Sequence, residues 1–266
     1  MAKSSSYEAK VPDERGVIPY SDDEHAVWAD LYARQIRIIE DRVCQPFLDG
    51  LEALKLPAER IPQPAEVSQV LKSKTGWEIA PVPALINFDK FFKLLAQKRF
   101  PAASFIRSRE DMEYLKEPDI FHEIFGHATM LTHQAFADFT EAYGQAGVRA
   151  SKQERVFLAR LYWFTVEFGL LQTSNGVRIC GGGIASSPGE TEFALESPEP
   201  LRRPFDPLDV LRTPYRIDIF QPVYYILDSL NDLFYLAGED LLDLIRQAKV
   251  LGEFTPTFPP KTKEAA

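Results

Sequence analysis

Apolar residues recur at the three- and four-residue spacing of amphipathic helices along much of the chain. The first such segment contains Val27, Leu31 and Ile38. It follows Ser21 and the acidic run 22–24, which suit the start of a helix. The same pattern, bounded by proline and glycine, predicts shorter helices elsewhere. These predicted helices cover residues 65–72, 88–97, 122–131, 189–195 and 239–250.

The strongest helix signal is the capping box formed by Ser151 and Glu154. From this start we expect one helix to run through Leu171. Its residues 158–171 are apolar on nearly every side, which is typical of a buried helix. The pattern therefore indicates an α+β fold that is mostly α-helical with a few short strands. These strands are predicted at 77–82, 102–106 and 216–220.

No linker, repeat or low-complexity tract interrupts the sequence, and this favours one domain. We expect the domain to span residues 21–260, between a polar, flexible N-terminus (1–20) and a short tail (261–266). The 266 residues are 45% hydrophobic and 26% charged, which is the composition of a globular protein with a sizeable core.

Charge and composition exclude several kinds of partner. The formal net charge of −9, without any basic cluster, argues against nucleic acid. No apolar run approaches the ~20 residues that cross a bilayer, and the N-terminus lacks the apolar stretch of a signal peptide. Two cysteines, Cys44 and Cys180, exclude a disulfide scaffold but leave a single disulfide open. We therefore expect a cytoplasmic protein without membrane or nucleic-acid partners.

His122 and His127 lie in one short segment, and neutral imidazole is the commonest metal ligand. Their five-residue spacing places them about 140° apart on an ideal α-helix. A zinc hydrolase with Glu123 as general base is disfavoured, because its motif needs histidines four residues apart. Both histidines reach one metal only where the helix begins, bends or loosens, and Gly126 can assist. Ordinary core histidines are the alternative.

A carboxylate within the apolar segment supplies a second signal. Burying the charge of Glu167 is costly unless a cation faces it. A metal ion held by His122 and His127 would supply this cation. The alternatives are an arginine such as Arg160, or a raised pKa that leaves the carboxyl neutral. Two histidines and one carboxylate are typical of non-haem Fe(II) oxygenases, so iron is the preferred metal.

Four longer segments carry a resemblance to a known family. They are EPDIFHEIFGH (117–127), RLYWFTVEFGLL (160–171), SSPGE (186–190) and TPYRIDIFQPVYY (213–225). With these motifs in this order, the chain resembles the pterin-dependent aromatic amino acid hydroxylases. Within that family it is most similar to the bacterial phenylalanine hydroxylases, from about residue 25 to residue 260.

The resemblance implies an enzyme that uses Fe(II), tetrahydrobiopterin or a related reduced pterin, and O₂ to convert L-phenylalanine to L-tyrosine. It also implies that His122, His127 and Glu167 hold the iron. The same chemistry on tryptophan or another aromatic amino acid, or at the meta position, is the alternative within enzymes. An iron- and pterin-binding module without turnover is the non-enzyme alternative.

The resemblance also implies where the pterin and the amino acid bind. Phe91 corresponds to a phenylalanine that stacks on the pterin, Glu123 to a glutamate facing it, and Tyr215 to a tyrosine on a mobile loop nearby. Arg107, paired with Asp119, corresponds to the arginine that binds the substrate carboxylate. The remaining implied residues are Ala84, Leu85 and Ile86 beside the pterin, Pro118, Trp163 and Phe168 around the amino acid ring, and Gly183 and Ser186 beside the substrate and the first iron ligand.

Several of these residues also have ordinary structural interpretations. Without the resemblance, Trp163 and Phe168 would be interpreted as core and Arg107 as a surface charge. Glycines 181–183 lack the lysine and serine or threonine of a phosphate-binding loop, so we expect no nucleotide there.

Three departures from the family pattern lie beside the predicted iron site. Ala128 and Thr129 stand where a small residue and a proline are usual, Cys180 stands for a tyrosine, and Ala185 for a bulkier aliphatic residue. We expect these changes to alter packing or substrate range rather than the reaction. The longer animal relatives add a regulatory domain and a tetramerisation helix, for which this sequence has no room. We therefore expect a monomer without amino acid allostery.

Overall fold

The computed structural model describes residues 7–83, 86–113, 115 and 117–260. Within these ranges helices dominate, and no helix has both the length and the apolar character needed to cross a membrane. The α-helices are α1 (Asp22–Ile38), α2 (Gln45–Leu54), α3 (Pro64–Lys74), α4 (Phe88–Leu95), α5 (Gln134–Arg149), α6 (Lys152–Tyr162), α7 (Gly182–Ala185), α8 (Pro188–Glu196), α9 (Pro207–Arg212), α10 (Asn231–Ala237) and α11 (Leu241–Leu251). The strands are β1 (Glu78–Val82), β2 (Arg99–Ala103), β3 (Gly169–Thr173), β4 (Gly176–Ile179), β5 (Leu201–Pro204) and β6 (Val223–Leu227).

The strands form two small sheets. β1 and β2 pair in parallel, and the larger sheet has the order β4-β3-β6-β5. In this sheet β3 is antiparallel to β4 and parallel to β6, and β5 is parallel to β6. β3 begins two residues after Glu167, and β4 leads into glycines 181–183. The β3–β4 hairpin therefore brings the carboxylate and the glycine turn together.

Two capping boxes start the helices that the sequence predicts most strongly. The backbone N–H of Glu24 donates to the Ser21 hydroxyl, and that of Ser21 donates to the Glu24 carboxylate. Ser151 and Glu154 repeat the arrangement at α6. These helix starts are confirmed, as are α3, α4, α8, α11 and β1, with ends shifted by one or two residues.

The helix predicted through Leu171 is wrong beyond Glu167. α6 ends at Tyr162, residues 163–167 form a π-helix, and the chain then enters β3. β3 is bonded on both edges, by β4 and β6. A uniformly apolar segment does not distinguish a buried helix from a buried strand, and here strand pairing decides.

Two strand predictions and one helix prediction also need correction. The strand predicted at 102–106 lies three residues earlier, as β2. Residues 216–220 form no strand, because the Arg216 side chain pairs with Asp218 two residues later and the chain turns there. The helix predicted over 122–131 is a π-helix followed by a short 3-10 turn.

Residues 7–20 contain no helix or strand, yet they contact the residues that directly follow β2. The Tyr7 ring stacks on Phe105 with centroids 4.5 Å apart. The Tyr20 hydroxyl donates to the carbonyl oxygen of Ser104 at 2.9 Å. The predicted limits of the domain stay a prediction.

An aromatic core holds the segment that carries the two histidines. Phe121 and Phe125 stack with ring centroids 4.9 Å apart. Trp28 of α1 meets Phe121 edge-on at 5.4 Å, and Phe47 of α2 meets Phe125 at 6.0 Å. All four rings are fully buried. Since the two phenylalanines lie on either side of Glu123 in the sequence, their packing fixes the backbone from which the histidines project.

Candidate metal centre

His122 and His127 meet because the helix between them is a π-helix, which spans residues 122–128. Its backbone bonds join residues five apart, so that side chains at this spacing lie above one another instead of on separate faces. The two Nε2 atoms are 3.0 Å apart. Gly126 permits the arrangement, since a Cβ there would lie 2.6 Å from the carbonyl oxygen of Gly182. The loosening that the spacing requires is therefore present.

Glu167 reaches the same point from the end of the second π-helix. Its Oε2 lies 3.3 Å from Nε2 of His127 and 3.7 Å from Nε2 of His122. The alternative in which Arg160 neutralises this carboxylate is wrong. Arg160 pairs with Glu253 at 2.9 Å and donates to the carbonyl oxygen of Leu211 at 3.0 Å.

The three donor atoms fit one metal ion. Ligand atoms that are each ~2.1 Å from an ion lie no more than ~4.2 Å from each other, and all three separations are shorter. The Glu123 carboxylate also lies within 4.8 Å of the two imidazoles. Nδ1 of His127 is buried without a hydrogen-bond partner among the described residues, which leaves Nε2 as the nitrogen that faces the other donors.

The orientation of His122 is set by Ser186. The Ser186 hydroxyl donates to the carbonyl oxygen of Gly182 at 2.8 Å, so its oxygen accepts from Nδ1–H of His122 at 3.0 Å. A proton on Nδ1 leaves the lone pair on Nε2, which faces His127 and Glu167. Burial, with the neighbouring His127, lowers the pKa of His122 to about 4. The ring is therefore neutral at pH 7, the form that binds a metal.

The two nearby glutamates have opposite pKa shifts. Burial raises the pKa of Glu123 well above its ordinary value, and the charges of Glu167 and Asp119 add to the effect. Burial also opposes the ionisation of Glu167, but its interactions with His127 and His122 outweigh burial and lower its pKa. One carboxyl is thus ionised and faces the imidazoles, while the other favours its neutral form.

Glycines 181–183 pack directly against the donor groups. A Cβ at Gly182 would lie 2.5 Å from Nδ1 of His127, and one at Gly183 would lie 2.8 Å from Oε2 of Glu167. A Cβ at Gly181 would lie 2.4 Å from the carbonyl oxygen of Glu167. The turn lacks side chains because the donors occupy that space. The sequence singled out Gly183; Gly182 was missed, although three successive glycines signal a close approach.

Arg107 and Asp119 form a buried pair next to the first histidine. Arg107 is 7% exposed and Asp119 is fully buried, so the interpretation of Arg107 as a surface charge is wrong. Nε and Nη2 of Arg107 donate to the two carboxylate oxygens at 2.8 and 3.0 Å. Asp119 also accepts from the backbone N–H of His122 at 3.0 Å. Burial opposes the charge of Asp119, but Arg107 outweighs it and lowers the pKa of the carboxyl.

The aromatic rings of Phe168 and Tyr215 pack against Trp163. Its ring centroid lies 4.3 Å from that of Phe168 and 4.4 Å from that of Tyr215, which is nearly parallel to it. Its indole N–H donates to Oε1 of Gln221 at 2.9 Å. Phe168 also approaches Gly183, where an added Cβ would lie 3.1 Å from the ring. The structure thus joins residues predicted for the substrate with one predicted for the pterin.

The residues predicted for the pterin are less closely grouped. Phe91 meets Tyr162 edge-on at 5.7 Å, and Tyr162 in turn lies 6.5 Å from His127. The sequence gave no role to Tyr162. Ile86 packs in a separate small apolar cluster with Ala80, Val82 and Leu94. Ala84 and Leu85 lie outside the described residues, and Pro118 is partly buried next to Asp119 in the chain.

A groove with a volume of about 660 Å³ opens between the start of α4 and α6 and reaches Tyr215. It contains none of the metal-donor residues but adjoins the aromatic cluster through Tyr215. The lining residues are Asn87, Phe88, Asp89, Lys152, Arg155, Val156, Ala159, Arg160, Pro214 and Tyr215.

The departures from the family pattern are all buried. The Thr129 hydroxyl lies 3.2 Å from the carbonyl oxygens of Phe125 and Gly126, and thus bonds to carbonyls within the π-helix. Ala185 accepts a hydrogen bond from Gln35 of α1 at 2.7 Å. Cys180 is a free thiol, and burial raises its pKa well above the ordinary value. These positions affect packing around the donor groups.

Two imidazoles and one carboxylate at a common point define a class of protein: those that hold one catalytic metal ion, typically iron, through two histidines and a carboxylate. Comparison with known proteins narrows the class. Residues 2–241 match the family model described as biopterin-dependent aromatic amino acid hydroxylase. The chain belongs to this family.

Two bacterial relatives and two solved structures are similar to this chain over more than nine tenths of their length. The phenylalanine-4-hydroxylase of Pseudomonas aeruginosa is 56% identical, over 97% of this chain and 98% of the relative. That of Vibrio cholerae is 53% identical, over 98% and 91%. Among solved structures, the cold-active phenylalanine hydroxylase of Colwellia psychrerythraea is 57% identical with a TM-score of 0.93, covering 95% of this chain and 98% of that one. The Chromobacterium violaceum enzyme with bound Fe(III) is 41% identical with a TM-score of 0.88, covering 96% and 92%.

Proposed function

We propose that this chain is an enzyme that hydroxylates the aromatic ring of L-phenylalanine to give L-tyrosine, with O₂, Fe(II) and a reduced pterin such as tetrahydrobiopterin. The observation that carries the proposal is the meeting of His122, His127 and Glu167, whose donor atoms lie within 3.7 Å of each other. The high identity to bacterial proteins named phenylalanine-4-hydroxylase supports phenylalanine as the substrate.

The iron is proposed to bind Nε2 of His122, Nε2 of His127 and Oε2 of Glu167. Bound iron and tetrahydropterin would together activate O₂. Ser186 keeps the proton of His122 on Nδ1 and so directs the free lone pair towards the ion. The ionised Glu167 offsets part of the metal charge, which reduces the cost of burying it.

Arg107 is proposed to bind the carboxylate of the amino acid. Asp119 holds its guanidinium through Nε and Nη2, so the cation is oriented before the substrate arrives. The rings of Trp163 and Phe168 would flank the phenyl ring and keep water away from the reacting carbon. The other residues proposed to line this pocket are Pro118, Asp119, Gly183 and Ser186.

The pterin is proposed to stack on Phe91, whose ring Tyr162 holds edge-on. The groove between α4 and α6 ends at Tyr215, and its volume is in the range that accommodates a small heterocyclic ligand. Glu123 would form hydrogen bonds with the pterin, and burial, which raises the pKa of its carboxyl, disfavours a second negative charge beside Glu167. The loop residues assigned to the same cofactor are Ala84, Leu85 and Ile86.

A different substrate range is the second candidate, and buried Cys180 and Ala185 favour it. Both replace larger residues next to the glycine turn that contacts the donor groups. In this alternative the same chemistry acts on tryptophan or at the meta position of phenylalanine. Restoring tyrosine at 180 and leucine at 185 without any change in substrate range would contradict it.

We further propose a monomeric, cytoplasmic protein with one catalytic domain, residues 21–260. Both cysteines are free thiols, as is usual in a reducing compartment. Size-exclusion chromatography tests the monomer, and a stable tetramer would contradict it.

The proposed reaction is tested by loading the protein with Fe(II) without oxygen, then adding phenylalanine, tetrahydropterin and air. Products are resolved by chromatography and mass spectrometry. We expect para-tyrosine, and none from His122→Ala. Meta-tyrosine, or turnover only with tryptophan, would support the second candidate. Bound iron without product from any aromatic amino acid would favour a binding module without turnover.

A further inference from the structure

Gln221 is buried and fully bonded at the junction of three parts of the protein. Its side chain is 1% exposed, yet all of its amide groups are used. Oε1 accepts from the indole N–H of Trp163 at 2.9 Å, and Nε2 donates to the carbonyl oxygens of Arg216 and Ile219, each at 2.9 Å. An amide has one acceptor and two donors, so these partners fix its orientation.

The backbone of Gln221 is anchored as well. Its N–H donates to Oε1 of Glu190 at 3.1 Å, and the same oxygen accepts a hydrogen bond from the hydroxyl of Tyr224. Glu190 lies on α8 and Tyr224 on β6. Both are buried. The residue that bonds to Trp163 is therefore itself attached to a helix and to the larger sheet.

The amide also spans the segment that carries Tyr215. Its two donated bonds bridge residues 216–219, directly after Tyr215, whose ring stacks on Trp163. The indole thus contacts Tyr215 on this segment and Phe168 beside the glycine turn, while its N–H is held by Gln221. The tilt of the indole depends on this one polar contact, since ring stacking alone tolerates sliding and rotation.

We propose that Gln221 is a positioning residue that fixes the Trp163 indole and thereby sets the fit of the aromatic substrate ring. The inference rests on the proposed function, in which Trp163 forms a wall of the amino acid pocket. Loss of the acceptor leaves the partly buried indole N–H without this partner, and relief of that cost reorients the ring.

The test replaces Gln221 with methionine, which keeps the length of the side chain but removes acceptor and donors. The measured quantities are KM for phenylalanine, kcat, tyrosine formed per pterin oxidised, and the affinity for phenylalanine by calorimetry. We expect KM and the dissociation constant to rise about tenfold, with a smaller change in kcat. Gln247→Met is the matched control, because Gln247 is exposed on α11 and bonds to Asp243 within that helix.

A double-mutant cycle with Trp163→Phe separates positioning from general support. Phenylalanine has no N–H, so Gln221→Met should change phenylalanine affinity less than twofold in that background if Gln221 acts through Trp163. Equal effects in both backgrounds would overturn the proposal. An unchanged KM and affinity in the single variant, which circular dichroism shows to be folded, would overturn it too. Subtracting the tryptophan emission of Trp163→Phe from that of the wild type gives the emission of Trp163. The same subtraction in the Gln221→Met background should give a Trp163 emission at a shifted wavelength.

The binding and emission measurements keep this inference separate from the proposed reaction. If the wild type makes no tyrosine but binds phenylalanine, and Gln221→Met weakens that binding through Trp163, the reaction is wrong and the positioning role holds. If the wild type makes tyrosine and the variant matches it, the reaction holds and the positioning role is wrong.

Discussion

Nδ1 of His122 lies 3.0 Å from the hydroxyl oxygen of Ser186, and this contact links the first proposed iron ligand to α7. We predict that Ser186→Ala lowers the affinity for Fe(II) about 10- to 100-fold, because the ring loses the group that fixes its tautomer and orientation. Anaerobic calorimetry measures the affinity. Ser187→Ala is the control, since Ser187 makes no side-chain capping bond at the start of α8. Equal affinity in the Ser186 variant and the wild type would contradict the prediction.

Gly182→Ala should disrupt the proposed iron site at its second histidine, His127. The added Cβ would lie 2.5 Å from Nδ1 of His127 and 2.8 Å from the backbone carbon of Gly126, so the backbone must move. We expect the free energy of unfolding to fall by about 1–3 kcal/mol, as in overpacked cores, together with loss of iron binding. Urea unfolding and metal titration measure the two effects. Gly238→Ala is the control, because its Cβ would meet nothing closer than 3.4 Å.

Asp119→Asn should weaken both phenylalanine binding and folding. The change leaves the buried Arg107 without its carboxylate, and breaking such a pair costs about 3–5 kcal/mol. KM for phenylalanine should rise, because the guanidinium loses the partner that orients it. Steady-state kinetics and urea unfolding measure the effects.

The control for Asp119 is Asp30→Asn. Asp30 pairs with Arg109 at 2.7 Å, but both side chains are more than half exposed, so the change should have little effect on stability. Comparable losses of stability in the two variants would show that burial of the Arg107–Asp119 pair is not what matters.

The buried Glu190 predicts a dependence of stability on pH. Burial raises the pKa of its carboxyl, although the hydrogen bonds from Tyr224 and Gln221 oppose the shift. A raised pKa in the folded state means that the folded protein holds this proton more tightly. The contribution is present below the unfolded pKa of about 4.3, and is lost as the pH rises through the raised folded value.

Glu190→Gln removes this titration and keeps an oxygen acceptor for Tyr224 and Gln221. We therefore expect the variant to gain stability relative to the wild type as the pH rises above about 4.3. Urea unfolding at several pH values measures the difference. Glu192→Gln, on the exposed side of α8, is the control. A difference that stays constant or falls with rising pH would contradict the prediction.

Local signals made the helix starts and the donor set predictable from the sequence. Ser21 and Ser151 each form a capping box with the glutamate three residues later, so both ends of the interaction lie within one turn. Glu167 was singled out because a charge in an apolar segment needs a cationic partner, and its Oε2 lies 3.3 and 3.7 Å from the two histidines that are proposed to hold the metal ion.

What the sequence missed depends on contacts between distant segments. The end of α6 is set by pairing of β3 with β6, more than 50 residues later. Gly182 is required because His127 lies against it, and Gln221 is bonded to Trp163 across 58 residues. Residue spacing along one helix or strand carries no information on contacts with distant segments. Without knowledge of the contacting segment, each of these residues would be interpreted as an ordinary core or loop residue.

In the π-helix at residues 122–128, the proposed metal binding depends on the number of residues between the two histidines. A π-turn contains one residue more than an α-turn, so removal of Ile124 would convert HEIFGH to HEFGH, with histidines four apart. That is the spacing and the glutamate of the zinc peptidase motif. A single codon therefore separates the ligand register of an iron oxygenase from that of a zinc hydrolase, and insertions or deletions here should be far less tolerated than substitutions at Ile124.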